Sequence, residues 1–142
     1  MKGRKRHIIV DTEGLLLTVS VHSASTRDPA AAITMFEKAA HKMRRVEVVW
    51  ADQGYNTKAL RRWVAESYTS KGGWRLEIKA RAWRTTKLSG FVVIPRRWVV
   101  ERTFAWLYKY RRLSKDYEFF HHSSEAMIYL ASAHLLLRRL CA

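Results

Sequence analysis

The sequence predicts a mixed α/β fold, with strands and helices in a single domain of 142 residues. Short apolar segments suited to strands alternate along the chain with longer segments whose apolar residues recur at helical spacing. The apolar content of 48% is sufficient for one hydrophobic core. The predicted order is hairpin, helix, strand, helix, strand, helix and helix, which favours a mixed sheet.

The amino-terminal part predicts a hairpin followed by a helix. His7–Val10 and Leu15–His22 are rich in Ile, Val and Leu, and Thr12-Glu13-Gly14 between them suits a turn. Asp28 and Pro29 are typical of a helix start, with Asp28 as the cap. Apolar residues at helical spacing then predict one buried face: Ile33, Phe36, Ala40 and Met43.

The rest of the chain predicts two more strands and three more helices. Val46–Ala51 is short and apolar, as expected of a strand covered on both faces, and 74–78 alternates like a strand with one exposed face. The predicted helices are Thr57–Tyr68, about Arg96–Leu113, and a last helix that Ser123 and Ser124 cap and that runs to about Leu140. The basic, aperiodic segment Lys79–Gly90 is predicted to be a mobile loop.

The formal charge of +15 indicates a polyanionic partner, and nucleic acid is the first expectation. A ribosome-associated role or an acidic membrane surface would also fit the charge, but less well. Thirteen of the 27 Lys and Arg residues lie in residues 71–115, against only Glu77 and Glu101. This region is therefore the predicted phosphate-contacting face.

The composition argues against secreted and membrane-spanning classes. The single cysteine, Cys141, supports neither a disulfide framework nor a cysteine metal cluster. No apolar run approaches the roughly 18 residues that a spanning helix needs. The expected location is therefore the cytoplasm.

Two carboxylates are the candidate catalytic and metal-binding residues, Asp52 and Glu101. Asp52 follows the apolar strand and precedes Gln53-Gly54-Tyr55, so it either lines a site or caps the turn, at even odds. Glu101 lies in a basic helix, where an ion pair with Arg97 is the simpler interpretation. Together in a cationic groove, they would suit a divalent metal acting on a phosphate backbone.

Other charged and aromatic residues leave alternatives open. Asp11 ends the first predicted strand, and a role in the turn is favoured over a role as a third ligand. Five tryptophans are expected mostly in the core, namely Trp50, Trp63, Trp74, Trp98 and Trp106, whereas Trp83 could stack on a base. A phosphate-contacting surface is favoured over a merely solvated one for Arg96, Arg97, Arg102, Lys109, Arg111 and Arg112.

Four segments in the same order resemble the DDE transposases of bacterial insertion sequences, in particular the insertion-sequence-five family. They are Gly3–Leu15, Trp50–Tyr55, Pro95–Leu107 continuing to Tyr110–Leu113, and Ser124–Leu130. The resemblance implies a ribonuclease-H-like domain that cleaves DNA strands at insertion-sequence ends and transfers them to target DNA. It implies Mg²⁺ or Mn²⁺ held by two Asp and one Glu, with Asp52 as the second Asp and Glu101 as the Glu.

The chain also departs from the family pattern, because the segments that match do not include the first catalytic Asp. The family's first catalytic Asp lies on a central strand before the Gly3–His7 segment, and Asp11 matches the next strand. The chain thus resembles the carboxyl-terminal part of a transposase, either one half of a frameshifted pair or a decayed copy. The expected partners are transposon-end and target DNA at the nucleoid, and the amino-terminal part or a second copy. An inactive basic DNA-binding fragment that regulates transposition is the alternative.

Overall fold

A computed structural model describes residues 3–79 and 98–141. The predicted mobile loop beyond Lys79, with Trp83, Arg96 and Arg97, lies outside the described residues. The chain forms two compact units, of which one comprises residues 3–26 with 98–141 and the other residues 27–79, as far as they are described. Both units combine helices with a two-stranded sheet, so the mixed α/β class is confirmed, and the single domain stays a prediction.

The first unit is built on the predicted antiparallel hairpin. Strand β1 spans Arg4–Val10 and strand β2 spans Leu16–Ser23, with an irregular register between Ile9 and Val10. Alternation of apolar and polar residues places one face of this hairpin in the core, where Val19 and Val21 are buried. A hairpin alone is marginally stable in water, so its buried face needs the helices of the unit.

Two helices cover that face. Helix α3 spans Trp98–Tyr108 and helix α4 spans His121–Leu140. The shared core is formed by Val19, Val21, Leu107, Leu113, Ile128 and Ala131, and Ile8, Leu16, Phe104, Tyr110 and Met127 pack against it. Apolar packing therefore fixes α3, the helix that carries Glu101.

Basic residues of β1 tie the segment between α3 and α4 to the hairpin. The Arg4 guanidinium donates to the backbone oxygens of Glu118 and Phe119 at 2.7 and 2.6 Å, and it also pairs with Asp116. Arg6 donates to the backbone oxygen of Leu113 at 2.8 Å. These guanidinium groups are therefore engaged in contacts within the fold instead of facing solvent.

The two edges of the hairpin differ. On β2, the backbone N–H of Val21 donates to the Glu125 carboxylate at 2.9 Å and that of Val19 to the Tyr129 hydroxyl at 3.3 Å. Both acceptors belong to α4, so this helix closes the outer edge of β2. Among the described residues, β1 has β2 as its only strand partner, and Ile8 directly opposes Val19. Because the Val19 N–H points away from β1, towards Tyr129, Ile8 and Val19 form a non-hydrogen-bonded pair, and the peptide groups of Ile8 also point outwards, to the outer edge of β1.

The second unit contains a parallel strand pair joined by a helix. Helix α1 spans Asp28–Ala39, strand β3 spans Val48–Ala51, helix α2 spans Lys58–Ser67 and strand β4 spans Arg75–Ile78. β3 and β4 pair in parallel, from Val48 opposite Arg75 to Ala51 opposite Ile78. Parallel strands require a long crossover, and α2 supplies it here. Thr57 caps this helix by accepting the backbone N–H of Leu60 at 3.2 Å.

An aromatic cluster fills the core of the second unit. Phe36, Tyr68 and Trp74 are in ring contact, with centroids 4.7 Å apart for Phe36 and Trp74 and 4.6 Å apart for Tyr68 and Trp74. Trp74 is 3% exposed, as the core assignment predicted. The predicted buried stripe of α1 is only partly right, because Phe36 and Met43 are buried whereas Ala40 is exposed.

Several predicted helix ends are wrong. Arg27, not Asp28, occupies the cap position of α1, and Asp28 is its first residue. The helix predicted to reach Leu113 ends at Tyr108, and a short 3₁₀ turn at Arg111–Leu113 follows. α4 begins at His121, so Ser123 and Ser124 lie inside its first turn instead of capping it. For Ser124, the contact of its Oγ with Asp116 at 3.2 Å outweighs the local capping preference.

None of the helices in the described part of the chain combines the length and the apolar composition needed to cross a membrane.

Candidate metal and nucleic-acid site

Asp52 lies where β3 ends and a 3₁₀ turn begins. Its Oδ1 accepts the backbone N–H of Gly54 at 2.8 Å, so Asp52 caps the turn, as one of the two sequence interpretations held. The residue is also exposed, and this capping bond uses one of its two carboxylate oxygens. Capping therefore fixes the carboxylate at the carboxyl end of β3 and leaves it accessible to a cation.

A second carboxylate, which sequence reasoning had assigned only to a helix cap, lies beside Asp52. A β carbon at Gly54 would lie 3.1 Å from Asp52 Oδ1 and 3.4 Å from Asp28 Oδ2, so both oxygens converge on the side-chain-free face of this glycine. Burial, and secondarily the charges of Asp28 and Asp52, raises the pKa of the Tyr55 hydroxyl. The electrostatic potential around Asp52 is thus negative. The sequence held no signal for this pairing, because 24 positions separate the two acids.

Glu101 lies in the first turn of α3 and is exposed. The helix is anchored on its opposite side by Val99, Thr103 and Leu107, all buried. Since these residues fix the helix rotation, they also fix the direction of Glu101 towards solvent. Its predicted partner Arg97 lies outside the described residues.

The hairpin turn supports the helix that carries Glu101. The Thr103 hydroxyl donates to the Gly14 backbone oxygen at 2.8 Å, and Arg102 Nη2 donates to the Glu13 backbone oxygen at 2.8 Å. Gly14 has a φ of 81°, and a β carbon there would lie 2.8 Å from Thr103 Oγ1. Glycine is therefore required both for the backbone conformation and for the contact.

Asp11 shapes this turn. Its Oδ1 accepts the backbone N–H groups of Glu13 and Leu15, both at 2.9 Å. The favoured turn interpretation of Asp11 is confirmed. Both bonds are accepted by the same oxygen of Asp11 and hold the turn in its conformation.

Asp52 and Glu101 belong to different compact units, so their convergence on one cation stays a prediction. The donor set fits a hard divalent cation, because Mg²⁺ and Mn²⁺ prefer carboxylate oxygens. Within residues 3–79 and 98–141, however, no group of three or more His, Cys, Asp or Glu side chains is arranged to hold a metal ion.

The predicted DNA-contacting residues after α3 are exposed. Lys109, Arg111 and Arg112 lie just beyond its end and face solvent, although the earlier end of α3 places them on a turn instead of on a continuous helix. Arg112 Nε donates to the Glu118 carboxylate at 2.9 Å. Lys109 and Arg111 remain suitable for phosphate contact, whereas Arg112 is partly neutralised.

Arg102, for which the sequence favours a phosphate contact, packs against two tryptophan rings. Its guanidinium lies between the Trp98 and Trp106 rings, 4.3 and 4.7 Å from their centroids, and the Arg139 guanidinium covers Trp106 at 4.4 Å. We call these four residues, Trp98, Arg102, Trp106 and Arg139, the Trp–Arg ladder. Sequence reasoning missed it because Arg139 comes from α4. The expected burial of Trp98 is wrong, since the residue is 47% exposed.

Comparison with known proteins bears on this arrangement. The family model described as transposase DDE domain matches residues 1–136. A protein of Burkholderia cepacia, named as the transposase of insertion sequence element IS402, is 30% identical over 123 residues. That alignment covers 82% of this chain and 54% of the relative, so the chain spans about half the length of the relative. No solved structure matches.

Proposed function

The chain belongs to the transposase DDE-domain family, and on that premise we propose that it carries two catalytic carboxylates of an insertion-sequence transposase, Asp52 and Glu101. The reaction would be cleavage of DNA strands at the ends of the element and their transfer to target DNA. The observation that carries the proposal is the family match over residues 1–136, with both carboxylates exposed on well-anchored elements.

Asp52 and Glu101 would hold Mg²⁺ or Mn²⁺. When bound, the cation would offset charge on the phosphate and make water or a 3′-hydroxyl a better nucleophile. The chain's own groups would hold and orient the DNA. The Gly54 N–H fixes the Asp52 carboxylate, the hairpin turn fixes α3 beneath Glu101, and Lys109 and Arg111 supply exposed positive charge for the phosphates.

The proposed partner is the amino-terminal part of such an enzyme. The outer edge of β1 supports it, because α4 closes the other edge of the hairpin whereas β1 offers backbone donors and acceptors to a further strand. A strand added there would extend the hairpin towards the ribonuclease-H-like sheet that we propose for the complete enzyme. That part would bring the first catalytic Asp.

The test is Mg²⁺-dependent nicking of a supercoiled plasmid that carries the insertion-sequence ends. We expect nicking by the chain together with the amino-terminal half of the Burkholderia relative, supplied as a separate polypeptide, and little by the chain alone. Asp52→Ala and Glu101→Ala should each reduce nicking to background because each removes a ligand. Glu66→Ala is the matched control, since this exposed acid pairs only with Arg62 on its own helix in the described part.

A second candidate function is DNA binding without chemistry, in a protein that regulates transposition. The formal charge of +15 supports it, because positive charge alone is sufficient for binding to a phosphate backbone. In that case, DNA binding would be salt-sensitive and unchanged by Asp52→Ala and Glu101→Ala. Nicking that persists in both variants, or that never appears with the amino-terminal half present, would contradict the catalytic proposal.

A further inference from the structure

Helix α4 carries an apolar stripe on the side that faces away from its own core contacts. The buried residues of the helix lie on one side: Ser124, Ile128, Ala131 and Ser132. The opposite side is exposed and is formed by Ala126, Leu130, Ala133, Leu137 and Leu140. We call these five residues the α4 stripe. Its three leucines are 63%, 59% and 82% exposed. A continuous apolar strip, unlike a single exposed leucine, is typical of an interaction site.

The α4 stripe has the spacing of a coiled-coil seam. Its successive members are four, three, four and three residues apart, so one side of the helix stays apolar over about four turns. Such a seam packs against a second helix when side chains of each helix insert between those of the other. Beside Leu130 there is a shallow hollow of about 290 Å³, whose lining includes Tyr110, Leu113 and Met127. A protruding side chain of a facing helix has room to insert there.

The α4 stripe contains no charged side chain, although the chain is strongly basic. The helix has one carboxylate, Glu125, and two guanidinium groups, Arg138 and Arg139, and all three lie outside the stripe. In a protein of formal charge +15, a face without Lys or Arg is where two copies can approach without placing like charges in contact. The acid lies in the first half of α4 and the arginines in its last turn. An antiparallel pair of these helices therefore brings opposite charges to the same end, whereas a parallel pair brings four arginines together.

We propose that the α4 stripe is the interface of a homodimer, in which α4 of one copy packs antiparallel against α4 of a second copy around a two-fold axis. The order of large and small residues supports this occupant. In one antiparallel register, Leu130 faces Ala133 of the partner subunit and Leu137 faces Ala126 of the partner subunit. By symmetry each of these contacts occurs twice, so four successive layers pair a leucine with an alanine. Leu140 then reaches the first turn of the partner's helix.

The size of the α4 stripe sets the expected strength of the dimer. Two 20-residue helices in contact bury a strip roughly 30 Å long and about 10 Å wide. This area is at the low end for specific protein interfaces, so we expect a reversible dimer with a Kd in the micromolar range. The dimer goes beyond the proposed function and does not depend on it, because neither DNA nor a metal ion takes part in the contact.

The first test is sedimentation equilibrium of the chain over a range of micromolar concentrations. High salt is used because it screens repulsion between the basic chains and releases bound nucleic acid. We expect a reversible species of twice the 16.7 kDa mass of the chain. Leu137→Glu should raise the Kd of the dimer at least about 30-fold, the equivalent of a lost hot-spot residue, because it places a charge in the apolar seam. Leu137→Met should keep most of the affinity, because it conserves volume.

Tyr108→Glu is the matched control for Leu137→Glu. Tyr108 is 51% exposed, close to the 59% of Leu137, and lies on α3 in the same unit but outside the α4 stripe. The control should leave the Kd of the dimer unchanged. Since both side chains are exposed in the single chain, both variants should keep the circular dichroism spectrum of the unaltered protein.

The second test measures the direction of the two helices. Cys141 is exposed and is the single cysteine of the sequence, so a spin label can be attached there without any substitution. In the proposed register Cys141 lies opposite His122 of the partner subunit. The two labels are then separated by the rise of about 19 helical residues, roughly 30 Å. A parallel pair would bring the labels to about the 10 Å that separates packed helices, and electron paramagnetic resonance distinguishes the two distances.

Three results would overturn the homodimer. The first is a monomer at every concentration, and the second is a dimer with the same Kd for Leu137→Glu and the unaltered chain. The third is a label separation near 10 Å, which would contradict the antiparallel arrangement. If a monomeric chain instead bound the amino-terminal half of the Burkholderia relative, and Leu137→Glu abolished that binding, the stripe would belong to that half and the homodimer would be wrong. Nicking activity decides none of these outcomes, so this proposal and the catalytic one fail separately.

Discussion

At the residue scale, two residues of the same type have different roles because their neighbours differ. Asp11 and Asp52 both follow a strand, and both accept backbone N–H groups of the turn that comes next. Asp11 accepts two such bonds, whereas Asp52 accepts one and has the Asp28 carboxylate near it. Extra negative charge favours a cation near Asp52, whereas the bonds of Asp11 serve the fold.

The Asp11→Ala variant tests this division. Loss of two backbone hydrogen bonds should reduce the free energy of unfolding by about 1–3 kcal/mol, measured by denaturant unfolding. Mn²⁺ affinity, measured by electron paramagnetic resonance, should not change. Unaltered stability combined with lost Mn²⁺ binding would make Asp11 a ligand and reverse its assignment.

At the element scale, the sequence predicts most elements and misplaces several of their ends. The hairpin, α2 and β3 could be predicted because their apolar periodicity and the Thr57 cap act locally. The start of α4 could not be predicted, because Ser124 bonds to Asp116 instead of capping the helix. The Trp–Arg ladder was also beyond prediction, since its partners are brought together only when α3 and α4 fold.

The contact between the hairpin turn and α3 gives a prediction at this scale. Gly14→Ala and Gly72→Ala both place a β carbon at positive φ, 81° and 75° respectively, but only Gly14 has neighbours within 4 Å. The backbone cost is of order 1–2 kcal/mol in each variant. Gly14→Ala should therefore lose more stability, by about 1 kcal/mol or more, because it also overpacks against Thr103 and Trp106.

Equilibrium unfolding of the two glycine variants checks this expectation. Equal losses of free energy would mean that the turn does not support α3. Because Glu101 lies on that helix, the same comparison measures how strongly the turn supports the helix that carries the carboxylate.

At the scale of the whole molecule, the charge of +15 and membership of the transposase DDE-domain family both support the DNA-processing function that we propose. The residues of the candidate site were predictable only because the resemblance supplied them. Periodicity and charge alone left Asp52 at even odds and favoured an ion pair for Glu101. Asp28 and the exposed face of Trp98 could be found only from tertiary contacts.

The central claim is that Asp52 and Glu101 share a divalent cation, and iron-directed cleavage of the protein backbone tests it most directly. Fe²⁺ in place of Mg²⁺, with ascorbate and peroxide, cuts the backbone close to the bound ion. We predict two cut positions, near Asp52 and near Glu101, in the chain alone or with the amino-terminal half present. Mg²⁺ should suppress both, and either Asp52→Ala or Glu101→Ala should abolish both. Cutting at only one position, or independent loss of the two, would contradict the claim.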